Sequence, residues 1–131
     1  MAEDSKSLRT PIALARGLGS AKEGVHHWWM QRLSAVALIP LTLWFVASIV
    51  AMAGADYAAF AAWISNPVVA ILMILLVVAT FYHAQLGLQV VYEDYIHTHL
   101  LKIAADVGTK LAATVLALGA VFAILKIALG A

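Results

Sequence analysis

Three long apolar stretches, joined by short polar or turn-forming segments, make up most of the chain. They predict membrane-spanning helices at about residues 29–53, 67–93 and 106–129, because about 20 consecutive apolar residues in a helix cross the hydrocarbon core of a bilayer. Residues 1–28 are polar and of mixed charge, and they predict an N-terminal arm on the cytoplasmic side. The expected fold class is an all-α membrane protein whose anchor domain, residues 29–131, holds three transmembrane helices.

Local signals mark the ends of these helices and one irregularity. Asn66 followed by Pro67 predicts the start of the second helix, since an amide oxygen can cap free backbone N–H groups and proline lacks one. Trp28 and Trp29 predict the headgroup level at the start of the first helix, where amphipathic rings concentrate. Pro40 lies inside the first helix and predicts a kink there.

The composition excludes a soluble domain. Of the 131 residues, 64% are hydrophobic and 11% are charged, which is more apolar surface than a soluble domain of this length can bury. The chain has no Cys, so it cannot form disulfides, ligate iron–sulfur clusters or carry a reactive thiolate. Basic residues are not interleaved with aromatic ones in a patch, and we expect no nucleic-acid partner.

Basic residues are concentrated at one end of the predicted bundle. Five of the eight Lys and Arg residues lie in the first quarter of the chain. The second connection adds Lys102 and Lys110, whereas the first connection has no Lys or Arg. Because basic residues favour the cytoplasmic side of a membrane, we expect a multi-pass protein with a cytoplasmic N-terminus. The end of the second helix then lies on the same side as Arg32.

The second helix carries polar side chains on one face. His83, Gly87, Val90 and Asp94 follow each other at i, i+4, i+7 and i+11, which is the repeat of a single helical face. At 1.5 Å per residue, His83 and Asp94 are separated by about 16 Å along the axis. This face therefore carries an imidazole at membrane depth and an acid next to a phenol, Tyr95, near the membrane surface.

An imidazole buried in hydrocarbon needs a partner, and the residues allow three kinds. His83 can form a helix–helix hydrogen bond, ligate a haem iron or take part in a proton relay. Gly87, one turn away, either makes room for a flat macrocycle or allows close helix packing. No second helical His lies at membrane depth in this chain, so six-coordinate iron would need its other axial ligand from a partner subunit.

The start of the first helix offers groups that can bind an anion. Arg32 suits lipid phosphate and topology, or a bidentate pair with a carboxylate such as a haem propionate. His26 lies upstream of Arg32 and can contribute to the same anion, whereas we interpret His27 as an ordinary interfacial side chain. Ser34 is expected to bond a helix carbonyl. At the end of the second helix, Tyr95 is either an interfacial aromatic or a phenol that donates to a quinone carbonyl, with Asp94 beside it.

These residues resemble those of the small hydrophobic membrane anchor subunit of succinate dehydrogenase, the D-type subunit of respiratory complex II. The resemblance covers nearly the whole chain, and residues 16–24 look like alphaproteobacterial members. Its motifs are His83-Ala84-x-x-Gly87, Asp94-Tyr95, Gly24-Val25-His26 and Arg32.

The resemblance implies a membrane anchor in the bacterial inner membrane for the flavoprotein and iron–sulfur subunits, together with a larger cytochrome b anchor subunit. The two anchors would sandwich one b-type haem, with His83 as this chain's axial ligand and with Arg32 and His26 near the propionates. Tyr95 would bind ubiquinone, with Asp94 beside it. This subunit would catalyse nothing alone but would belong to an enzyme of the respiratory chain and the tricarboxylic acid cycle.

Two other functions remain open. One is a haem-free structural anchor of a complex that resembles fumarate reductase. The other is a small proton-conducting membrane subunit, in which His83 and Asp94 lie on the proton path. The second alternative predicts polar residues at depth on the first and third helices, and those helices have almost none.

Overall fold

The structure, a computed structural model, describes Ile12 and residues 21–130. Three long helices and one short helix make up most of residues 21–130, and this part of the chain contains no strand. They are α1 (Ala21–Ala51), α2 (Tyr57–Ile64), α3 (Pro67–Tyr95) and α4 (His99–Ala128). Three of them, over Gly24–Ala51, Pro67–Tyr95 and His99–Ala128, are long and apolar enough to cross a membrane. The predicted all-α fold with three spanning helices is confirmed.

Two of the spanning helices begin earlier than the hydrophobic pattern predicts. α1 is helical from Ala21 rather than from about residue 29, and α4 begins at His99 rather than near residue 106. Between Ala21 and residue 29 only Gly24 is a poor helix former, and no proline interrupts the chain. Both helices therefore extend beyond the apolar stretch into their polar flanks. Of the predicted arm, residues 1–11 and 13–20 lie outside the described residues.

α3 is the central helix of the described part. It packs against α1 on one side and against α4 on the other, whereas α1 and α4 have no extensive contact with each other. The short α2, which the sequence analysis placed in a connection, contacts both α3 and α4. The three spans thus form one row of antiparallel helices, and each leaves much of its apolar surface uncovered.

The tightest packing lies at the end of the row where α2 is found. Ile64, Ala70 and Ile124 form a buried cluster there, and the indole rings of Trp44 and Trp63 stack with their centroids 5.9 Å apart. Only 6% of the most apolar 18-residue segment of each spanning helix is buried. Lipid or another subunit must therefore cover the rest, since so large an apolar surface is not stable in water.

Caps fix the ends of α3. The Asn66 side chain accepts a hydrogen bond of 2.9 Å from the backbone N–H of Val68, and Pro67 occupies the first turn, which confirms the predicted start. At the other end, the Lys102 ammonium donates to the backbone oxygen of Glu93 at 3.3 Å. A cation beside the last carbonyls interacts favourably with the helix dipole. This contact holds the start of α4 against the end of α3.

Candidate functional site

The contact between α1 and α3 contains a hydrogen bond between two polar side chains at membrane depth. Ser34 Oγ lies 3.0 Å from His83 Nδ1 and 3.0 Å from the backbone oxygen of Gln31. Ser34 is only 8% exposed and is the one buried polar residue of the described part. His83, half-buried, is about 18 Å from the Tyr95 end of α3. The helix–helix hydrogen bond expected among the alternatives for His83 is therefore present.

That hydrogen bond occupies one of the two ring nitrogens. Within residues 21–130, no side chain is hydrogen-bonded to Nε2 of His83. A neutral imidazole that is bonded through Nδ1 can still ligate a metal through Nε2. The observed bond is thus compatible with metal ligation by the same ring.

One turn closer to the Tyr95 end, Gly87 faces a side chain of α1. A Cβ at position 87 would lie 3.5 Å from Gln31 Nε2, which is an ordinary van der Waals distance. Gln31 Oε1 is buried and has no hydrogen-bond partner. The absence of a side chain at residue 87 therefore leaves a polar amide next to the bare backbone of α3.

Towards the start of α1 and the end of α3, the two helices enclose a cleft of about 700 Å³. It is lined by residues of α1 and of the last turns of α3, namely Gly24, His27, Trp28, Gln31, Arg32, Gln89, Val90 and Glu93. His27 Nε2 is a second buried polar atom without a hydrogen-bond partner among the described residues. Buried polar atoms are normally bonded, so two unpartnered ones at a single cleft indicate a ligand or a partner subunit that supplies the missing bonds.

Arg32 lines the cleft and forms no ion pair within residues 21–130. Its guanidinium carbon lies 4.3 Å from the centre of the Trp28 ring, a cation–π contact that holds the side chain along the helix. The one ion pair among residues 21–130 joins Lys110 and Asp106, so Arg32 has no carboxylate partner in that part of the chain. Its planar N–H groups remain available for an anion.

The predicted quinone residues lie at the end of α3 and outside the cleft. Tyr95 is 78% exposed, and Asp94 is exposed as well. Neither lines the cleft, whereas their neighbour Glu93 does. Glu93 also accepts a hydrogen bond of 3.1 Å from Gln89. The structure therefore does not bring Asp94 and Tyr95 together with Arg32 in one pocket.

Comparison with known proteins identifies the group of proteins to which this arrangement belongs. Residues 6–125 match the family of succinate dehydrogenase/fumarate reductase transmembrane subunits. The chain belongs to this family. It is 36% identical over 103 residues to a protein of Rickettsia bellii, a match that spans 79% of this chain and 82% of that protein. It is 33% identical over 122 residues to one of Paracoccus denitrificans, spanning 93% and 94%. Both relatives are named succinate dehydrogenase hydrophobic membrane anchor subunit, which confirms the resemblance read from the motifs.

The donor set of this transmembrane subunit restricts which metal groups it can hold. Within the described residues, no three His, Cys, Asp or Glu side chains are grouped as metal ligands. Zinc sites in proteins take three or four such side chains, and the described residues provide no set of that kind. A haem iron needs only axial ligands, because the macrocycle supplies the other four, and one His per chain is then sufficient. His83 with a free Nε2 fits that requirement.

The sequence analysis did not assign three polar residues of α1 to the contact with α3, although the expected bond from Ser34 to a helix carbonyl is present. His27, Gln31 and Ser34 face α3, whereas His26, the predicted propionate residue, is exposed and does not line the cleft. The signal was in the spacing: residues 27, 31 and 34 follow each other at i, i+4 and i+7, as do residues 83, 87 and 90. Two such faces on antiparallel neighbours are able to pair.

Proposed function

We propose that the chain is the small hydrophobic membrane anchor subunit of succinate dehydrogenase, the succinate:quinone oxidoreductase of complex II. In this proposal it forms half of a two-subunit helical bundle, shares one b-type haem with a larger cytochrome b anchor subunit and contributes to the ubiquinone site. Its further partners are the iron–sulfur and flavoprotein subunits, and its location is a bacterial inner membrane. The observation that carries the haem assignment is His83, bonded through Nδ1 at membrane depth with Nε2 left over.

His83 supports haem ligation because the cost of burying its ring is otherwise only half offset. The hydrogen bond to Ser34 satisfies Nδ1, and a second polar atom in hydrocarbon still needs a partner. Iron at Nε2 provides that partner. Gly87, on the same face one turn away, carries no side chain, and a Cβ there would meet only Gln31 Nε2, at 3.5 Å. The larger anchor subunit would then have to supply the other protein ligand of the iron.

The cleft supports the position of the haem propionates. Arg32 offers a cation that has no carboxylate partner among the described residues, and a guanidinium pairs with a carboxylate through two parallel hydrogen bonds. His27 Nε2 is buried in the same cleft without a hydrogen-bond partner among the described residues, and as an N–H it can donate to a carboxylate. His27 is better placed for a propionate than His26, because His27 lines the cleft and His26 does not.

The exposed end of α3 supports a quinone site shared with another subunit. The Tyr95 hydroxyl, on a side chain that is 78% exposed, can donate a hydrogen bond to a quinone carbonyl. Asp94 beside it can position a basic group or pass protons. A bound haem supplies one-electron transfer chemistry. The residues of this chain supply position, hydrogen bonds and an axial nitrogen, and none of them forms or breaks a covalent bond of the substrate.

The distribution of charge supports a cytoplasmic N-terminus. Antiparallel packing puts the start of α1, the end of α3 and the start of α4 at one end of the row. Arg32, Lys102 and Lys110 all lie towards that end, while Lys126 lies in the last turn of α4 at the other. An excess of basic residues favours the cytoplasmic side, which is also the side on which Tyr95 would meet a soluble iron–sulfur subunit.

A proton-conducting function has little support from the polar groups of the spans. The hydroxyls of Thr42, Ser48 and Thr114 each donate to a carbonyl of their own helix, so they do not form a relay from one helix to the next. The haem-free structural anchor is the stronger alternative, since the bond between Ser34 and His83 already ties α1 to α3. An absorption spectrum separates the haem-binding anchor from this one.

The test is the optical spectrum of the complex purified from membranes through another subunit. We expect a reduced b-type haem spectrum that is lost or becomes high-spin in His83→Ala. The matched control is His97→Ala, because His97 lies in the exposed connection between α3 and α4, and its complex should match the wild type. A wild-type complex that assembles without haem would establish the haem-free anchor. A His83→Ala complex with an unchanged low-spin spectrum would remove His83 from the axial position.

A further inference from the structure

The buried hydroxyl of Ser34 lies between two groups with different hydrogen-bonding capacity. Its oxygen is 3.0 Å from the backbone oxygen of Gln31 and 3.0 Å from Nδ1 of His83. A serine hydroxyl has one proton, a carbonyl oxygen can only accept, and a neutral imidazole carries its proton on one of two nitrogens. The two contacts together therefore restrict where the imidazole proton lies.

Two arrangements of the protons can be compared. In the first, the Ser34 hydroxyl donates to Gln31 and Nδ1–H of His83 donates to Ser34, so both contacts are hydrogen bonds. In the second, the hydroxyl donates to Nδ1, which leaves two acceptor oxygens in contact without a proton at 3.0 Å. It also leaves an N–H at Nε2 with no acceptor among the described residues. The first arrangement is favoured, because unpaired polar groups are costly in surroundings of low dielectric constant.

We propose that Ser34 is a positioning residue for the haem. It holds His83 as the Nδ1–H tautomer and fixes the ring so that Nε2 presents its lone pair to the iron. This inference rests on the proposed function, because it takes His83 to be an axial ligand. Ser34 acts through His83, in the way that acceptors behind metal-binding histidines commonly fix the tautomer and raise the basicity of the ligand.

The surroundings of Ser34 favour this role over a packing role. Serine at residue 34 does not stabilise α1 relative to alanine, because alanine is the better helix former and would fill the same small space. Ser48, in the same helix, shows the ordinary behaviour: its hydroxyl donates to the Trp44 carbonyl at 2.8 Å and, within residues 21–130, bonds no side chain of another helix. Ser34 alone of these two serines joins a titratable ring on α3.

The hydrogen bond from His83 to Ser34 should lower the midpoint potential of the haem. Donation from Nδ1–H to the Ser34 oxygen increases the electron density of the ring, so Nε2 becomes a stronger ligand. A stronger donor stabilises the ferric state more than the ferrous state, which lowers the midpoint potential of the haem. Removal of the hydroxyl should therefore raise that potential and loosen the hold of the ring on the iron.

The experiment compares the purified whole complex carrying Ser34→Ala, Ser34→Cys or Ser34→Thr with the wild type and with Ser48→Ala. The measurements are the haem midpoint potential, the electron paramagnetic resonance spectrum of the ferric haem and the rate of haem transfer to apomyoglobin. We expect Ser34→Ala to raise the potential, shift the g values and speed haem transfer about 10- to 100-fold, the range seen when such acceptors are removed. Ser34→Cys, which keeps the size of the side chain, should change all three in the same direction.

The hydroxyl-retaining Ser34→Thr should restore the wild-type potential and spectrum, and Ser48→Ala should leave both unchanged. If neither Ser34→Ala nor Ser34→Cys shifts the potential or the g values, the inference is wrong while the haem assignment stands. If the wild-type complex holds no haem, or if His83→Ala keeps its spectrum, the proposed function fails first. The Cys variant keeps the test decisive if the alanine variant does not assemble.

Discussion

Gly87 allows a substitution whose effect on the protein and whose effect on a cofactor can be separated. A methyl group at this position would meet Gln31 Nε2 at 3.5 Å, an ordinary contact with a flexible side chain. Gly119, in the interior of α4, has nothing within 4 Å of an added Cβ. Gly87→Ala and Gly119→Ala are thus matched changes, and only the first lies on the face of His83.

The expected change in stability follows from these distances. Replacing glycine by alanine within a helix stabilises it by about 0.5–1 kcal/mol, and neither methyl group meets an obstacle within the chain. Both variants should therefore be neutral or slightly stabilised in complex prepared without haem. Gly87→Leu should behave differently, because its further carbons extend into Gln31 and α1, and overpacking costs about 1–3 kcal/mol.

The assay measures the thermal midpoint of the haem-depleted complex and the haem content of the complex purified with haem. If Gly87 makes room for the macrocycle, Gly87→Ala lowers haem content or alters the haem spectrum, while its thermal midpoint follows that of Gly119→Ala. A haem content and spectrum equal to the wild type would refute this reading of Gly87 and leave close packing as its role. Destabilisation of haem-depleted Gly87→Ala by more than about 1 kcal/mol would contradict the geometry itself.

Three further changes test separate parts of the structure. Tyr95→Phe should lower quinone reduction roughly fivefold to tenfold, because it removes a hydrogen bond worth about 1 kcal/mol. Succinate oxidation with an artificial acceptor should continue. Equal loss of both activities would count against the quinone site. Tyr92→Phe removes a 2.7 Å hydrogen bond to Thr109 between α3 and α4. It should destabilise the complex by about 1 kcal/mol and leave the haem spectrum unchanged. A changed spectrum would contradict the structure, which shows no link between this hydrogen bond and His83. Asn66→Ala removes the cap of α3 and should cost about 0.5–2 kcal/mol in thermal unfolding, with Asn66→Asp retaining the wild-type value; an alanine variant as stable as the wild type would show that the cap contributes nothing.

The spanning helices could be predicted because their physical cause is local. Apolar stretches of sufficient length cross a bilayer whatever they pack against, and the start of α3 is set by Asn66 and Pro67, which act on their own helix. The early starts of α1 and α4 could not be read from hydrophobicity, because a helix continues through polar residues until something interrupts it. Helix α2 was missed because a helix of eight residues is short for any periodic signal.

The sequence singled out the polar residues of α3 that lie at the contact with α1, and it singled out those of α1 only in part. A histidine at membrane depth is noticeable by its chemistry alone, and His83 needed no partner to be singled out. Ser34 and Gln31 are ordinary polar residues whose meaning comes from what lies opposite them on α3. The choice between His26 and His27 depends on the rotation of α1 about its axis, which the packing against α3 sets and a single sequence does not show. In the structure, the rotation of α1 about its axis places His27 in the cleft.

The central claim is that Nε2 of His83 ligates a haem iron between two anchor subunits. The most direct measurement is an experimental structure of the assembled complex, purified from membranes with its other subunits. We predict a haem whose iron is bonded to Nε2 of His83, with Nδ1 still bonded to Ser34 and the propionates directed towards Arg32. An imidazole at residue 83 that faces lipid or protein, with no cofactor within bonding distance, would contradict the account.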